Sequence, residues 1–157
     1  NWKGVVILKI EIRLQEPNFE INPKYAEQVV DRFMDISREQ LLTSIKGKTP
    51  VDYGTLRRSW AYKKYKLGDG NQKLRISNSR KYALFVEQGT GIFKTGHRIF
   101  PKNASVFRAN IDGDVVFFRH HKGMPGKHMM EKGVKEYTVK IPNLFRTAML
   151  QTNMRSK

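Results

Sequence analysis

The sequence predicts an α+β fold, and three observations point to this class. Residues 5–14 alternate between apolar and polar side chains, two longer segments repeat apolar residues every three or four positions, and short alternating runs with turn signals lie between them. We therefore expect a long helix in the N-terminal half and a kinked C-terminal helix packed on an antiparallel sheet. A chain of 157 residues fits one domain, here residues 1–157.

Composition narrows the classes of function. The hydrophobic content of 39% supports a modest core, and no apolar run approaches the length of a membrane span, so we expect a soluble protein without a membrane partner. The absence of Cys excludes disulfides, thiolate nucleophiles and Cys-based zinc sites. Thirty Lys and Arg against 14 Asp and Glu leave a net charge of +16, which is typical of contact with nucleic acid or an acidic partner.

The first strand and the first helix follow from periodicity. From Leu8 onward the apolar residues Ile10, Ile12 and Leu14 alternate with charged residues, which predicts a half-buried strand. Asn22 is a candidate cap and Pro23 a first residue for a helix over 23–46, which Gly47 should end. The predicted apolar face of this helix comprises Val29, Val30, Phe33, Ile36, Leu41 and Ile45.

Short strands are predicted in the middle of the chain. The turn signal at 68–71 separates two alternating runs and indicates a β-hairpin. "YALFVEQG" predicts a short helical turn ended by Gly89, while "RIFP" and "SVFRANI" are strand-like. Asp112-Gly113 is a tight-turn signal, and "DVVFFRHH" predicts the partner strand.

The last segment carries a helical stripe that begins after His128. Its apolar members are Met130, Val134, Tyr137, Ile141, Phe145 and Met149. Pro142 lies inside this stripe and should kink or split the helix, because proline lacks an amide hydrogen and its ring clashes with the preceding turn.

Two glycine-containing stretches imitate nucleotide-binding motifs without meeting their requirements. Gly47-Lys48-Thr49 ends like a phosphate-binding loop, but the position that needs glycine is Leu42, and Pro50 prevents a helix from starting at the lysine. In "GTGIFKTG", the third glycine of a dinucleotide fingerprint would fall on Lys94. We therefore expect no nucleotide and no other cofactor.

Catalytic and metal sites are not predicted either. The four histidines have no carboxylate at ligand spacing; they are His97, His120, His121 and His128. No pair of acidic residues converges on the predicted elements, so we expect neither a metal site nor an enzyme. An unrecognised hydrolase stays open as a minor alternative.

The sequence of residues 49–60 predicts a structural corner, where the chain changes direction after the first helix. Pro50 fixes an extended entry, Asp52 is expected to cap a short helical turn, Gly54 permits close backbone packing, and Leu56 enters the core beside basic neighbours. In the following "SWAYKKYKLG", aromatic and lysine residues interleave, so this ribbon either forms the core face of a strand or stacks on bases.

Three longer blocks follow one another in the chain: "TPVDYGTLRRSW", "ISNSRKYALFVEQGTG" and "RIFPKNASVFRANIDGDVVFFRHHKGMPGKHMMEKGV". In these blocks the chain resembles a family of minor neck proteins of long-tailed bacteriophages, the head-to-tail joining or tail-completion proteins. The resemblance covers roughly residues 20–140. The motif residues that it marks are Thr49, Pro50, Asp52, Gly54, Leu56, Arg57, Tyr82, Glu87, Gly89 and Thr90.

The resemblance implies a non-catalytic virion protein of the head-tail connector, assembled in the host cytoplasm. It implies a homo-oligomeric ring, a hexamer by resemblance, between the head connector and the tail terminator or tail tube, with genomic DNA passing through the lumen. The loop 89–98 has no predicted secondary structure of its own and should be mobile in the free chain. Its proposed partner-binding residues are Ile92, Phe93, Lys94, His97 and Arg98.

Contact with DNA is the second functional expectation. The candidate DNA or lumen contacts are Lys63, Lys64, Lys66 and Lys73. A basic nucleic-acid-binding protein that works alone, through its lysine and tyrosine ribbon, is the alternative to the neck protein.

Overall fold

The structure, a computed structural model, describes residues 8–14, 23–52, 54–68 and 71–155. The helices are α1 (Pro23–Lys48), α2 (Thr55–Arg58), α3 (Ala83–Gln88), α4 (Ile92–Thr95) and α5 (Met129–Arg155). The strands are β1 (Leu8–Leu14), β2 (Trp60–Gly68), β3 (Asn71–Asn78), β4 (Phe107–Ile111) and β5 (Asp114–Phe118). The α+β class is therefore confirmed. No helix among these residues is both long and apolar enough to cross a membrane.

The chain divides into two compact units. The larger unit combines the described residues of Asn1–Lys81 with those of Met129–Lys157, and the smaller unit, Tyr82–His128, is inserted between them in sequence. Whether residues 1–157 act as a single domain stays a prediction.

The larger unit contains a three-stranded antiparallel sheet in the order β1-β3-β2. The register places Ile76 of β3 opposite Ile10 and Tyr62, and Arg75 opposite Glu11 and Lys63. Burial alternates along β3, where Leu74 and Ile76 are almost fully buried, as expected for a strand with one covered face. The predicted hairpin of β2 and β3 is confirmed, although its residues 69 and 70 lie outside the described part.

Helix α1 lies between the sheet and α5, contacting β2 and β3 on one side and α5 on the other. Phe33 packs edge-on against Phe145, with ring centroids 5.6 Å apart, beside buried Val29 and Ala148. This double packing explains why the buried surface of α1 extends beyond the predicted face to Met34. The C-terminal helix thus covers α1, and α1 covers the sheet.

The close approach of α1 and α5 depends on Gly133. A Cβ atom at this glycine would lie 2.7 Å from Cα of Ile45, which real Cβ contacts do not tolerate. Helix α5 continues through Pro142 without being split. The apolar stripe predicted for α5 does not include Met149 as a buried residue. Ala148 is buried instead, and Met149 is 38% exposed.

The end of α1 differs from the prediction. Gly47 does not stop the helix, which continues to Lys48. The Thr49 hydroxyl donates a 2.8 Å hydrogen bond to the Ile45 carbonyl, and Pro50 follows, which has no amide hydrogen to continue the helix. The candidate cap Asn22 lies outside the described residues.

The smaller unit contains a separate two-stranded sheet of β4 and β5. The sequence predicted one antiparallel sheet, and this number is wrong: among the described residues β4 and β5 pair with each other rather than with β1, β2 or β3. "RIFP" contributes only an isolated bridge between Ile99 and His121. The predicted turn at Asp112-Gly113 is confirmed, and both residues have positive φ, as a tight hairpin turn requires.

Candidate functional site

The corner formed by residues 49–60 is held by a buried hydrogen bond between Thr49 and Trp60. The Trp60 Nε1 donates to the Thr49 hydroxyl at 2.9 Å, and both residues are almost fully buried. The same hydroxyl donates to the Ile45 carbonyl at the end of α1. Thr49 therefore connects the end of α1 to the start of β2.

Two further side chains fasten the corner. Arg57 donates to the Thr49 carbonyl at 3.1 Å, and the fully buried Asn78 donates to the Leu56 carbonyl at 2.9 Å. The Asn78 side-chain oxygen accepts from the Arg80 amide at 3.0 Å. The predicted burial of Leu56, which precedes Arg57 and Arg58, is confirmed. Asn78 was missed in the sequence, since a polar residue at a strand end gives no sign of burial.

The expected cap by Asp52 is wrong. Gly54 occupies the cap position of α2 with φ of 71°, no side chain caps the helix there, and Asp52 is exposed. The reason for glycine also differs from the prediction, because a Cβ at Gly54 would meet only the movable end of Arg58. The requirement is the left-handed backbone, which glycine adopts without steric cost.

In the smaller unit, two backbone segments pack directly against each other at glycines. Gly89 and Gly91 face Gly123 and Gly126, and a Cβ at Gly89 would lie 2.6 Å from the Gly126 nitrogen. A Cβ at Gly91 would overlap the Lys122 carbonyl oxygen. We call these residues the glycine junction. They let the segment after α3 run against "KGMPG", a contact invisible in either sequence segment alone.

Backbone hydrogen bonds close the glycine junction. Thr90 donates from its amide to the Met124 carbonyl at 2.8 Å and accepts from the Met124 amide through its hydroxyl at 3.1 Å. The His128 amide donates to the carbonyl of Glu87, a buried residue. Tyr82, 42% exposed, precedes α3 and accepts from the Val86 amide. The helical turn ended by Gly89 is confirmed.

The loop 89–98 is not without secondary structure, so that expectation is wrong. It contains α4, flanked by Gly91 and Gly96, both with positive φ. The Ile92 amide donates to the Lys122 carbonyl at 2.9 Å, and the Thr95 hydroxyl donates to the Gly91 carbonyl at 3.0 Å. These bonds anchor the segment. The mobility expected for the free chain was based on a loop without secondary structure, and that basis is wrong.

The five residues predicted to contact a partner lie on this exposed segment. Ile92 is 38% exposed and Phe93 is 51% exposed. Lys94 and His97 are also exposed, and the Arg98 guanidinium donates to His120 Nε2. Their accessibility is compatible with partner binding.

The smaller unit exposes apolar side chains to an unusual extent. We call the following residues, each at least 36% exposed, the apolar surface: Tyr82, Phe85, Ile92, Phe93, Ile99, Phe100, Val106, Ile111, Val115, Val116, Phe117 and Met124. Both faces of the β4–β5 ribbon contribute, because Val116 and Phe117 are adjacent in β5 and therefore point to opposite faces. Exposed apolar surface of this kind marks protein–protein contacts.

A pocket of about 440 Å³ opens within the apolar surface. It is lined by Phe85, Gly89, Thr90, Gly91, Lys94, Thr95 and Ile99. Phe85 and Ile99 provide apolar walls, and Lys94 lines the pocket with the apolar part of its side chain. The pocket contains no acid or base pair of the kind that hydrolysis requires.

The four predicted DNA-contacting lysines fall into two groups. Lys64 lies 3.0 Å from carboxylate oxygens of both Asp31 and Asp35, and Lys66 lies 3.5 Å from Glu27. These two lysines are engaged by acids of α1. Burial alone would lower the pKa of Lys64, but its hydrogen bonds with Asp31 and Asp35 outweigh burial and raise it.

Lys63 and Lys73 belong to the opposite face of the sheet, around Tyr65. Their ammonium groups lie 5.1 and 5.2 Å from the Tyr65 ring centroid, and the Arg75 guanidinium lies 5.4 Å from it. Glu11 accepts from Arg75 at 2.8 Å and also pairs with Lys73 at 3.6 Å. This cationic face around Tyr65 contains Arg75, which the sequence analysis did not select.

The motif that imitates a phosphate-binding loop has a structural role. Lys48 pairs with Glu136 of α5 at 3.0 Å, and Lys140 hydrogen-bonds the same carboxylate at 2.9 Å. The hydrogen bonds from Lys140 and Lys48 lower the pKa of Glu136 from 4.5 to about 2. Lys48 therefore links the two long helices.

These features define a class of protein: a basic α+β protein whose described residues include an exposed apolar surface and a cationic face. Comparison with known families then gives a specific match. Residues 23–89, which run from α1 to the end of α3, match the family described as "Bacteriophage HK97-gp10, putative tail-component". No curated protein and no solved structure matches the chain.

The family match confirms, over residues 23–89, the resemblance to a phage tail-related family drawn from the sequence. It indicates a tail-related structural component of a bacteriophage, found in the virion in contact with other virion proteins. A structural role of this kind favours a protein that is not an enzyme.

Proposed function

We propose that this chain is a neck protein that joins the head connector to the tail tube as a ring around the path of the DNA. By resemblance the ring has six copies, forms in the host cytoplasm and stays at the neck of the virion. The observation that carries the proposal is the apolar surface of the smaller unit. All of its residues except Tyr82 and Phe85 lie outside the part of the chain matched by the family, and it would give the tail-related protein a surface for assembly.

The physical argument is the cost of leaving this surface in water. A two-stranded ribbon is marginally stable by itself, and the β4–β5 ribbon is exposed on both faces in the free chain. Burying an apolar side chain of the size of Phe117 contributes about 1.5 to 3 kcal/mol. A neighbouring subunit or virion protein would supply that burial.

The segment 92–98 is the proposed joining surface within the apolar surface. Ile92 and Phe93 are exposed, while hydrogen bonds of the flanking backbone hold the segment in place. A contact site ordered before binding loses less conformational entropy when a partner binds. Lys94, His97 and Arg98 would provide the surrounding polar contacts.

The test is the double variant Ile92→Asp with Phe93→Asp. We expect the variant to fold but to leave heads and tails unjoined, because two carboxylates would have to be buried at the contact. Infectious yield and electron microscopy of lysates, in a phage supplied with each variant, measure the joining. Normal yields from this variant would show that the segment is not the joining surface.

The control is Val139→Asp with Leu150→Asp, which adds two carboxylates at exposed apolar positions of α5. We expect normal joining from this control and unchanged circular dichroism from both variants. If the segment 92–98 variant unfolds, its side chains stabilise the monomer and the proposed role is wrong.

A second candidate function, binding of nucleic acid by the isolated chain, is favoured by the cationic face around Tyr65. Lys63, Lys73 and Arg75 surround an aromatic ring, a combination that holds phosphates and stacks bases. Titration of the monomer with DNA at rising salt tests this candidate. Strong binding that weakens with salt and is lost in Lys63→Glu with Arg75→Glu would favour it over the neck role.

A further inference from the structure

We propose that the tip of the β4–β5 hairpin of one copy inserts into the Phe85–Ile99 pocket of the next copy. This inference rests on the proposed ring and specifies the contact that would build it. It uses only residues of the smaller unit, whose tip and pocket are both described.

The tip combines acidic and apolar side chains. Asp112 and Asp114 are the only acidic residues between positions 88 and 130, and both are exposed. They flank Gly113 at the turn, and the neighbouring apolar residues Ile111 and Val115 are 53% and 45% exposed. A segment with this chemistry fits an apolar pocket that has a basic residue in its lining.

The pocket has the complementary chemistry. Phe85 and Ile99 form apolar walls and are 44% and 36% exposed, so a further apolar side chain would cover both. Lys94 lines the pocket with the apolar part of its side chain and is itself an exposed basic residue. The described residues offer no ion-pair partner to Asp112, Asp114 or Lys94, so opposite charges are available at the tip and at the pocket.

No residue of the hairpin tip lines the pocket of the same copy. Ile99, in the pocket wall, pairs with His121, which follows the base of the hairpin where Phe107 pairs with Phe118. Four residues at about 3.4 Å each separate this base from the tip. Tip and pocket are therefore different patches, and their association is head-to-tail, which closes into a ring when the rotation between subunits permits.

A second copy of this chain is the occupant that charge favours. The chain carries a net charge of +16, so most contacts between two copies would bring two basic surfaces together. Such surfaces repel each other. The acidic tip against Lys94 replaces that repulsion with attraction at one defined position.

Disulfide cross-linking tests the contact directly, because the natural chain has no cysteine. The single variants Ile111→Cys and Phe85→Cys are mixed and exposed to an oxidant. We expect a mixed disulfide between them, and none when Phe85→Cys is replaced by Val139→Cys, a highly exposed position in α5. An equal yield from both mixtures would overturn the proposed contact.

Charge reversal provides the second test. We expect Asp112→Lys with Asp114→Lys to weaken self-association by at least about tenfold, and Lys94→Glu to restore part of it, because like charges would otherwise meet at the contact. The matched control, Glu27→Lys with Glu39→Lys, changes net charge equally at exposed positions of α1. Sedimentation velocity measures association, and circular dichroism verifies folding.

The outcomes separate this inference from the proposed function. If the natural chain forms rings but the tip variant associates equally well, the hairpin contact is wrong and the ring stands. If the natural chain stays monomeric and the Ile111→Cys and Phe85→Cys variants give no mixed disulfide, both the ring and its contact are overturned. If the tip binds a different virion protein while rings persist, the occupant named here is wrong.

Discussion

The Trp60 indole nitrogen donates a 2.9 Å hydrogen bond to the Thr49 hydroxyl, and neither side chain is more than 3% exposed. Through this bond the residue that directly follows α1 is fixed to the residue that begins β2. The motif in residues 49–60, which lies within the part matched by the tail-component family, therefore joins a helix to a sheet.

Replacement of Thr49 by Val tests this fastening. The variant keeps the shape of the side chain but leaves the Trp60 indole N–H unpaired in the interior, so we expect a loss of about 1 to 3 kcal/mol in the free energy of unfolding. Denaturant unfolding measures the loss. Thr138→Val is the control, because Thr138 makes the same type of bond to a carbonyl four residues earlier but is exposed. Equal stability of the two variants would contradict the role of Thr49.

Glycines 47 and 54 should respond oppositely to alanine. Gly54 has φ of 71°, so Gly54→Ala should destabilise by about 1 to 2 kcal/mol. Gly47 lies inside α1 with no atom within 4 Å of a new Cβ, so Gly47→Ala should stabilise by about 0.5 to 1 kcal/mol. Thermal unfolding distinguishes the two signs.

Asp52→Ala should leave the free energy of unfolding nearly unchanged, because Asp52 does not cap α2. A loss of about 1 kcal/mol would show that Asp52 caps the helix after all.

The glycine junction predicts a local loss of structure in Gly91→Ala. A Cβ there overlaps the Lys122 carbonyl oxygen, so the backbone segments must separate and the hydrogen bonds across them must break. Hydrogen exchange should accelerate at the amides of Thr90 and Ile92. Gly96→Ala, which also has positive φ but has open space around its Cβ, is the control and should leave these amides protected. Unchanged protection in Gly91→Ala would contradict the junction.

Glu136 should make the link between α1 and α5 sensitive to acid. Its pKa is lowered from 4.5 to about 2, so the stabilisation is present above 4.5 and is lost as the pH falls through about 2. Unfolding measured across this interval should show a weaker pH dependence in Glu136→Gln and in Lys48→Met. Lys135→Met, at an exposed position of the same helix, should retain the natural dependence. An identical profile for all chains would contradict the lysine pairing.

The periodicity of apolar residues predicted the long helices and strands well, because an element that buries one face needs apolar residues at regular spacing. The apolar face of α1, the hairpin of β2 and β3, and the turn at Asp112 all follow from local patterns. Local patterns failed where distant segments meet. Gly133 against Ile45, and Gly91 against Lys122, are contacts between residues far apart in sequence, which no local rule identifies.

The candidate site was predicted in part for the same reason. Exposure of Ile92 and Phe93 followed from their place in a glycine-rich segment, but the anchoring of that segment depends on Lys122, thirty residues later. The division of the lysines also required register, because Lys63 and Lys64 are adjacent in β2 and face opposite sides of the sheet. Only the position of Asp31 and Asp35 on α1 reveals which lysine is paired.

Electron microscopy of phage particles carrying this chain with a bulky tag on Lys157 tests the central claim most directly. We predict a ring of extra density around the DNA path at the junction of head and tail, and unjoined heads and tails when the chain is withheld. Density elsewhere in the particle, or joined infectious particles formed without the chain, would contradict the neck assignment.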